Sequence, residues 1–329
     1  MPRSIGRTNR HCRYSGERGF ALVLVIWGLG LISLIALAVI TAGRYRILAA
    51  ANLIENGKAE ALAEAGVNLR RLELRAAFSS GSPNMLRFAT NGEPLLCTMP
   101  QRGLAALAVE DEGGKADINT ASPKLMSALL RGFGARTEEA DHVAAAIAEF
   151  SRPAANVVLD DAAFRAYAAD GRTYGPKKGP FETVLELDQV IGMRLDLLRA
   201  VLPYVTVHSR QPGVDPRVAA PALLAALAGD EPAKVAQLAG ATRGDRAGEA
   251  TPSGVPSQFL SPSTGRSFLI RAEVRTPGGG SSGREAIVEM MAGEMPDELR
   301  EWRRGESRFG RHFSAAMRRP DVVQRLPPC

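Results

Sequence analysis

Between Phe20 and Gly43 the chain carries no charged residue and no proline, and only Ser33 and Thr41 interrupt a run of Phe, Ala, Leu, Val, Trp, Ile and Gly. As a helix these 24 residues reach about 36 Å, enough to cross a hydrocarbon core of about 30 Å with some tilt. The run is too long for the apolar region of a cleaved secretory signal, which ends at a small-x-small site. Five arginines precede it (Arg3, Arg7, Arg10, Arg13 and Arg18), with only Glu17 against them. They hold the N-terminus on the cytoplasmic side, although Arg44 and Arg46 beyond the run weaken the asymmetry.

That leader also explains the charge. The net charge of the whole chain is +6. Without residues 1–19 there remain 36 basic against 34 acidic side chains, so the basic balance is a topology signal and says little about a nucleic-acid partner. Cys12, Cys97 and Cys329 are too far apart in sequence for a metal knuckle or redox pair. Cys97 and Cys329 could pair in an oxidising compartment, but sequence does not place their Cα atoms within bonding range. The four histidines, His11, His142, His208 and His312, lie near no serine or cysteine elbow and show no HExxH spacing. The expectation is a chain that is not an enzyme.

Gly19 stands at the cytoplasmic start of the apolar run, followed by Phe20-Ala21-Leu22-Val23-Leu24. A protease cutting there needs a small residue before the scissile bond, and glycine has no Cβ to obstruct its site. This resembles the type IV prepilin leader of type II secretion pseudopilins. The resemblance implies cleavage between Gly19 and Phe20, N-methylation of Phe20, and a fifth mature residue that is usually glutamate, paired with the N-terminal amine of a neighbouring subunit. Here that residue is Leu24. A buried carboxylate without a partner is costly, so an apolar residue there suits a subunit with no neighbour above it, at a fibre tip.

Past the membrane run, Ala49, Ala50, Ala51, Leu53, Ile54, Ala61, Leu62, Ala65, Leu69, Leu72 and Leu74 recur mostly at threes and fours, with charges on the other side. One helix over 20–78 is expected, ended by Gly81 and Pro83. Strands are expected at Met85–Thr90, Leu95–Met99 and Leu104–Glu110, and Lys115–Ile118 should return from the turn Asp111-Glu112-Gly113-Gly114. An alanine-rich helical set then covers Asn119 to about Val207, with helices at Lys124–Leu130, Glu138–Phe150, Asp160–Tyr167, Thr183–Gly192 and Leu195–Leu202. Asp117 to Leu129 repeats faintly, at an offset of 98, as Asp215 to Leu227, with Pro123 and Pro221 at matching helix starts. Residues 240–266 read as loop, and Ser267–Arg275 and Arg284–Met291 as strands around a Thr276–Gly283 loop.

The Asp111–Gly114 turn, Asp117-Ile118-Asn119-Thr120-Ala121, Pro180-Phe181, Glu186-Leu187, Val190-Ile191-Gly192-Met193, Pro203-Tyr204-Val205-Thr206-Val207 and the final hairpin are together similar to the general secretion pathway protein K family. That family is the large minor pseudopilin, and the likeness covers roughly residues 15–304. The second repeat departs from it, with Arg217-Val218 in place of Asn-Thr, and the arginine-rich tail after Gly305 has no counterpart. The implied fold is α+β: a long N-terminal helix, transmembrane then amphipathic, on a small antiparallel pilin-like sheet, with a large all-helical domain inserted. The expected segments are leader 1–19, transmembrane helix 20–43, stem and first strands 44–118, helical insert 119–239, linker and final strands 240–304, and basic tail 305–329.

The implied partners are other minor pseudopilins in a tip complex, the major pseudopilin, the prepilin peptidase and the inner-membrane secretion platform. The chain would cross the inner membrane once, with its bulk periplasmic. The resemblance also implies calcium in some members, and Asp111, Glu112, Asp117 and Asn119 are hard oxygen ligands beside a glycine turn, although an EF-hand spacing is missing. Asp111 and Asp117 are the candidates. Finally, Asn119–Pro123, Gly132-Phe133-Gly134, Gly179-Pro180-Phe181 and Val190-Ile191-Gly192 also resemble the helix-hairpin-helix modules of membrane-anchored DNA receptors for competence. Residues 116–207 hold 10 basic and 12 acidic side chains, a field that disfavours DNA, so no nucleic-acid partner is expected.

Overall fold

The computed structural model describes residues 18–80, 88–100, 103–153, 161–240, 254–291 and 297–329. The leader up to residue 17, the Gly81 and Pro83 stop, the Met85–Arg87 part of the first expected strand and the loop over 241–253 lie outside them. The chain divides into two compact units, Met1–Glu55 and Asn56–Cys329.

Helix α1, Arg18–Ser80, starts in the first unit and ends in the second. In the first, its apolar side chains from Phe20 to Ile40 are exposed, as a lipid-facing helix requires. In the second, Ala59, Ala63, Val67, Leu74 and Ala77 make a buried stripe at helical spacing.

That stripe packs on a five-stranded antiparallel sheet of order β1-β2-β5-β6-β7. Its strands are β1 (Leu95–Met99), β2 (Gly103–Asp111), β5 (Ser267–Arg275), β6 (Ser281–Met290) and β7 (Asp297–Arg304). Alternation sorts the side chains. Ala105, Leu107, Val109, Ile270, Ala272, Val274, Ala286 and Val288 face α1 in one cluster with Ala63 and Val67. At the far side of the sheet, Arg71 and Arg75 of α1 reach Asp297, and Arg284 of β6 reaches Glu60 and Glu64. The opposite face of β2 carries Leu104, Ala106 and Ala108, which pack on Phe309, Phe313 and Ala316.

Those last residues belong to the segment expected to be an appended tail. It folds as α8 (Gly310–Met317) and α9 (Pro320–Arg325), and its end joins β1 through a parallel bridge between Thr98 and Pro328 and a Cys97–Cys329 disulfide. Its apolar residues, Phe309, Phe313 and Ala316, are few but spaced to face one way, which the surrounding arginines hide from a compositional reading. Strand β7 was also not anticipated: Asp297-Glu-Leu-Arg-Glu-Trp-Arg-Arg304 lacks apolar alternation, and its pairing with β6 forms it.

Between β2 and β5 lies the helical insert: α2 (Pro123–Gly132), α3 (Thr137–Ser151), α4 (Asp161–Ala169), α5 (Leu195–Val201), α6 (Pro221–Ala228) and α7 (Pro232–Gly240). One core unites them, including Leu125, Leu129, Ile147, Phe150, Leu187, Leu197 and Leu223. Two expectations change in detail. The Lys115–Ile118 return is β3 (Ala116–Asp117), which pairs in parallel with β4 (Val205–Thr206) in a separate two-stranded sheet, because Asp117 turns the chain at once. The Thr183–Gly192 helix is a 3₁₀ turn over Val184–Gln189, opened by a Thr183 and Glu186 capping box.

Candidate functional site

Gly19 and Phe20 both lie within α1. The Phe20 and Leu24 side chains are 71% and 58% exposed.

The acidic turn is built differently from a metal loop. Asp111, at the end of β2, accepts from Gly113 N at 2.8 Å and from Ser263 Oγ at 2.8 and 2.7 Å. Gly114 has to be glycine, since a Cβ there would lie 2.7 Å from the Val218 carbonyl oxygen. Asp117 accepts from Asn119 N at 2.9 Å, Arg210 N at 2.7 Å and Ser209 Oγ at 3.4 Å. Burial raises both carboxyls above their ordinary value, and these donors only partly oppose it. Protein donors therefore engage both carboxylates, and the two share no hydrogen-bond partner. Among the described residues no group of three or more His, Cys, Asp or Glu is gathered for a metal. As they stand, these side chains do not fit a calcium cradle.

Asn119 takes another role. Its amide accepts from Phe181 N at 2.7 Å and donates to Phe181 O at 3.0 Å, holding Phe181 where its ring stacks on Phe150. Two sequence motifs 62 residues apart thus form one clamp. The second repeat has Arg217 in the Asn119 position and spends it on Asp215, at 2.6 and 3.0 Å.

Two of the glycines in the motifs that resemble helix-hairpin-helix modules take positive φ ahead of a helix. Gly134 (φ 102°) turns α2 into α3, and Gly192 (φ 81°) precedes α5, conformations glycine adopts without steric cost. Phosphate binding needs free amides and positive potential at the second helix. Here Glu138 and Glu139 open α3, with Glu139 accepting from Arg136 N, and Asp196 opens α5.

A further charged seam was missed by sequence reasoning. Where the insert meets the sheet, a cavity of about 70 Å³ is lined by Glu112, Lys115, His208, Arg271, Glu301 and Arg308 among others. Arg271 bridges Glu110 at 2.6 Å and Glu285 at 3.0 Å, Arg303 bridges Glu285 and Glu301, and His208 Nε2 lies 3.0 Å from Glu301. Burial pushes the Glu285 carboxyl up, but Arg271 and Arg303 outweigh it and hold the group below its ordinary value. These charges are mutually paired, as buried ions must be, and they tie insert to sheet. No sequence pattern marks the set, since its members come from β2, β5, β6, β7 and the loop after β4.

Residues 103–210 match the family model described as type II secretion system (T2SS), protein K. A chain in the crystal structure of the GspK-GspI-GspJ complex from the type 2 secretion system of enterotoxigenic Escherichia coli superposes with a TM-score of 0.49. The two are 18% identical, and the match covers 81% of this chain and 100% of that one. No curated protein matches the sequence. Over residues 103–210 the chain is thus similar to the type II secretion system protein K family.

Proposed function

We propose that the chain is a minor pseudopilin at the tip of the type II secretion pseudopilus, a structural component of protein export with no enzymatic activity. The protein K match over 103–210 carries this reading. It is supported by the exposed apolar helix from Phe20, which suits a single-pass anchor in the inner membrane, and by the sheet that α1 covers.

In this reading the prepilin peptidase cuts between Gly19 and Phe20, Phe20 becomes the N-methylated first residue, and residues beyond α1's apolar run are periplasmic. Stem packing with other minor pseudopilins and the major pseudopilin draws the subunit from the bilayer. The insert caps the fibre, because a domain this size obstructs a subunit stacking above it. Leu24 fits that place, having no neighbour whose amine it must neutralise. The work comes from a separate cytoplasmic ATPase, and this chain transmits it. Acidic side chains at the starts of α3 and α5 count against the DNA-receptor reading.

Co-expression with a prepilin peptidase tests this. Loss of the first nineteen residues, read by intact mass, together with recovery of other pseudopilins on the purified chain is the expected result. An uncut chain that never co-purifies with them would overturn it.

A further inference from the structure

Arg44 and Arg46 close the apolar run of α1 at the end away from the leader, where basic residues weaken the orientation that the leader sets. Both are exposed, and Tyr45 between them is 74% exposed. Their own helix offers them no counter-charge. From residue 18 to residue 54 the sequence holds no aspartate or glutamate, so the positions three and four away from each arginine, where a helical ion pair would form, are all uncharged. Glu55, the first carboxylate beyond, stands nine positions from Arg46. On a helix that is a rise of about 13 Å and about two and a half turns, which puts it on the opposite side.

Depth supplies the missing anion. Arg18, the first residue of α1, and Arg44 are 26 positions apart, about 39 Å along a helix. A bilayer measured through its headgroups is about 40–45 Å thick. With residues 20–43 in hydrocarbon, Arg44, Tyr45 and Arg46 therefore lie at the phosphate layer of the leaflet opposite the leader. Successive residues turn by about 100°, so the two arginines leave the helix on nearly opposite sides with Tyr45 between them. Such a set meets lipids on several sides of the helix.

We infer that Arg44, Tyr45 and Arg46 form a girdle that binds anionic phospholipid headgroups. A guanidinium fork takes two phosphate oxygens at once, and an interfacial tyrosine keeps its ring in the apolar layer and its hydroxyl among the headgroups. A zwitterionic lipid brings its own ammonium to the phosphate, whereas an anionic one leaves that charge to the arginine. The girdle therefore prefers a net negative lipid such as phosphatidylglycerol, by about fivefold per arginine, whichever leaflet faces the cytoplasm. The inference rests on the reading of α1 as a membrane anchor and adds the lipid that the far end of the anchor takes.

The experiment uses the full chain in vesicles of equal phosphatidylglycerol and phosphatidylcholine. The leader's arginines face the other leaflet, so Arg3, Arg7, Arg10 and Arg13 are replaced by glutamine in every sample. Insertion is read as resistance to alkaline extraction, and the lipids retained after gentle detergent extraction are counted by mass spectrometry. Phosphatidylglycerol should be enriched at least about fivefold among the retained lipids. Arg44→Gln with Arg46→Gln should abolish the enrichment, and so should salt at about 1 M. If the double variant alone does not insert, the single substitutions, each expected to lose about half of the enrichment, carry the test. Failure of every sample to insert would overturn the anchor reading and the inference with it. Insertion with equal retention of the two lipids, or enrichment that survives the substitutions or the salt, would overturn the inference alone.

Discussion

Asp117 and Asp215 make the same two hydrogen bonds with the same oxygens. In each, Oδ1 accepts from the amide two residues on, Asn119 or Arg217, at 2.9 Å, and Oδ2 accepts from a distant amide, Arg210 or Ser263, at 2.7 Å. Ala116 pairs in parallel with Val205, and Val214 pairs in parallel with Leu260. Proline then starts α2 and α6. The faint repeat is one local device used twice: an aspartate that satisfies the amides of its own turn and pins a returning segment.

Replacing either aspartate by alanine strands those part-buried amides. Asp117→Ala and Asp215→Ala should each destabilise the protein by about 1–3 kcal/mol, the cost of unsatisfied buried donors. Chemical denaturation of the full chain in micelles measures it, and Asn in place of Ala should recover part of the loss.

The two carboxyls shift in opposite directions. Burial raises both carboxyls, but at Asp215 the Arg217 side chain, together with the Ser263 and Arg217 amides, outweighs it and holds the group below its ordinary value, whereas Asp117 stays above. Arg217→Asn should therefore shift Asp215 titration upward and leave Asp117 alone, as read by carboxyl carbon-13 titration.

At the seam, the His208 hydrogen bond holds the Glu301 carboxyl below its ordinary 4.5, Arg303 and Lys115 add to this, and burial opposes them. Arg271, Arg308 and Glu112 face the same cavity. A depressed folded value means that the Glu301 contribution is present above 4.5 and is lost as pH falls through the lower folded value. Glu301→Gln should lower Tm at neutral pH, and the gap to the unmodified protein should close in acid.

Two glycines two residues apart should fail for different reasons. A Cβ on Gly132 would lie 2.3 Å from Ala226 Cβ, whereas Gly134 has open space but φ of 102°. Gly132→Ala should cost about 1–3 kcal/mol by overpacking α2 on α6, and Gly134→Ala about 1–2 kcal/mol by backbone strain. Ala226→Gly should rescue part of the first loss and none of the second.

Legibility followed the range of the interaction. Ser267–Arg275 is a strand in the sequence and in the fold with the same bounds, because its alternation needs no partner to be visible. An N-cap arrangement was legible over Asn119–Pro123, since a cap lies within one turn of its amides, and the structure assigns it to Ser122. Ser263 was not: it matters because its amide reaches Asp215 and its hydroxyl reaches Asp111, 152 residues earlier.

By itself the sequence determined the apolar span from Phe20 to Gly43, the amphipathic continuation of α1, the helical insert and its repeated aspartate-to-proline opening. These are local properties, written in periodicity, capping and the cost of charge in lipid. Only the tertiary structure decided that an arginine-rich tail seals the second face of β2, that Cys329 closes on Cys97, and that β7 is a strand. Each depends on which distant surface is left uncovered once the rest has folded, and no window of sequence contains that surface.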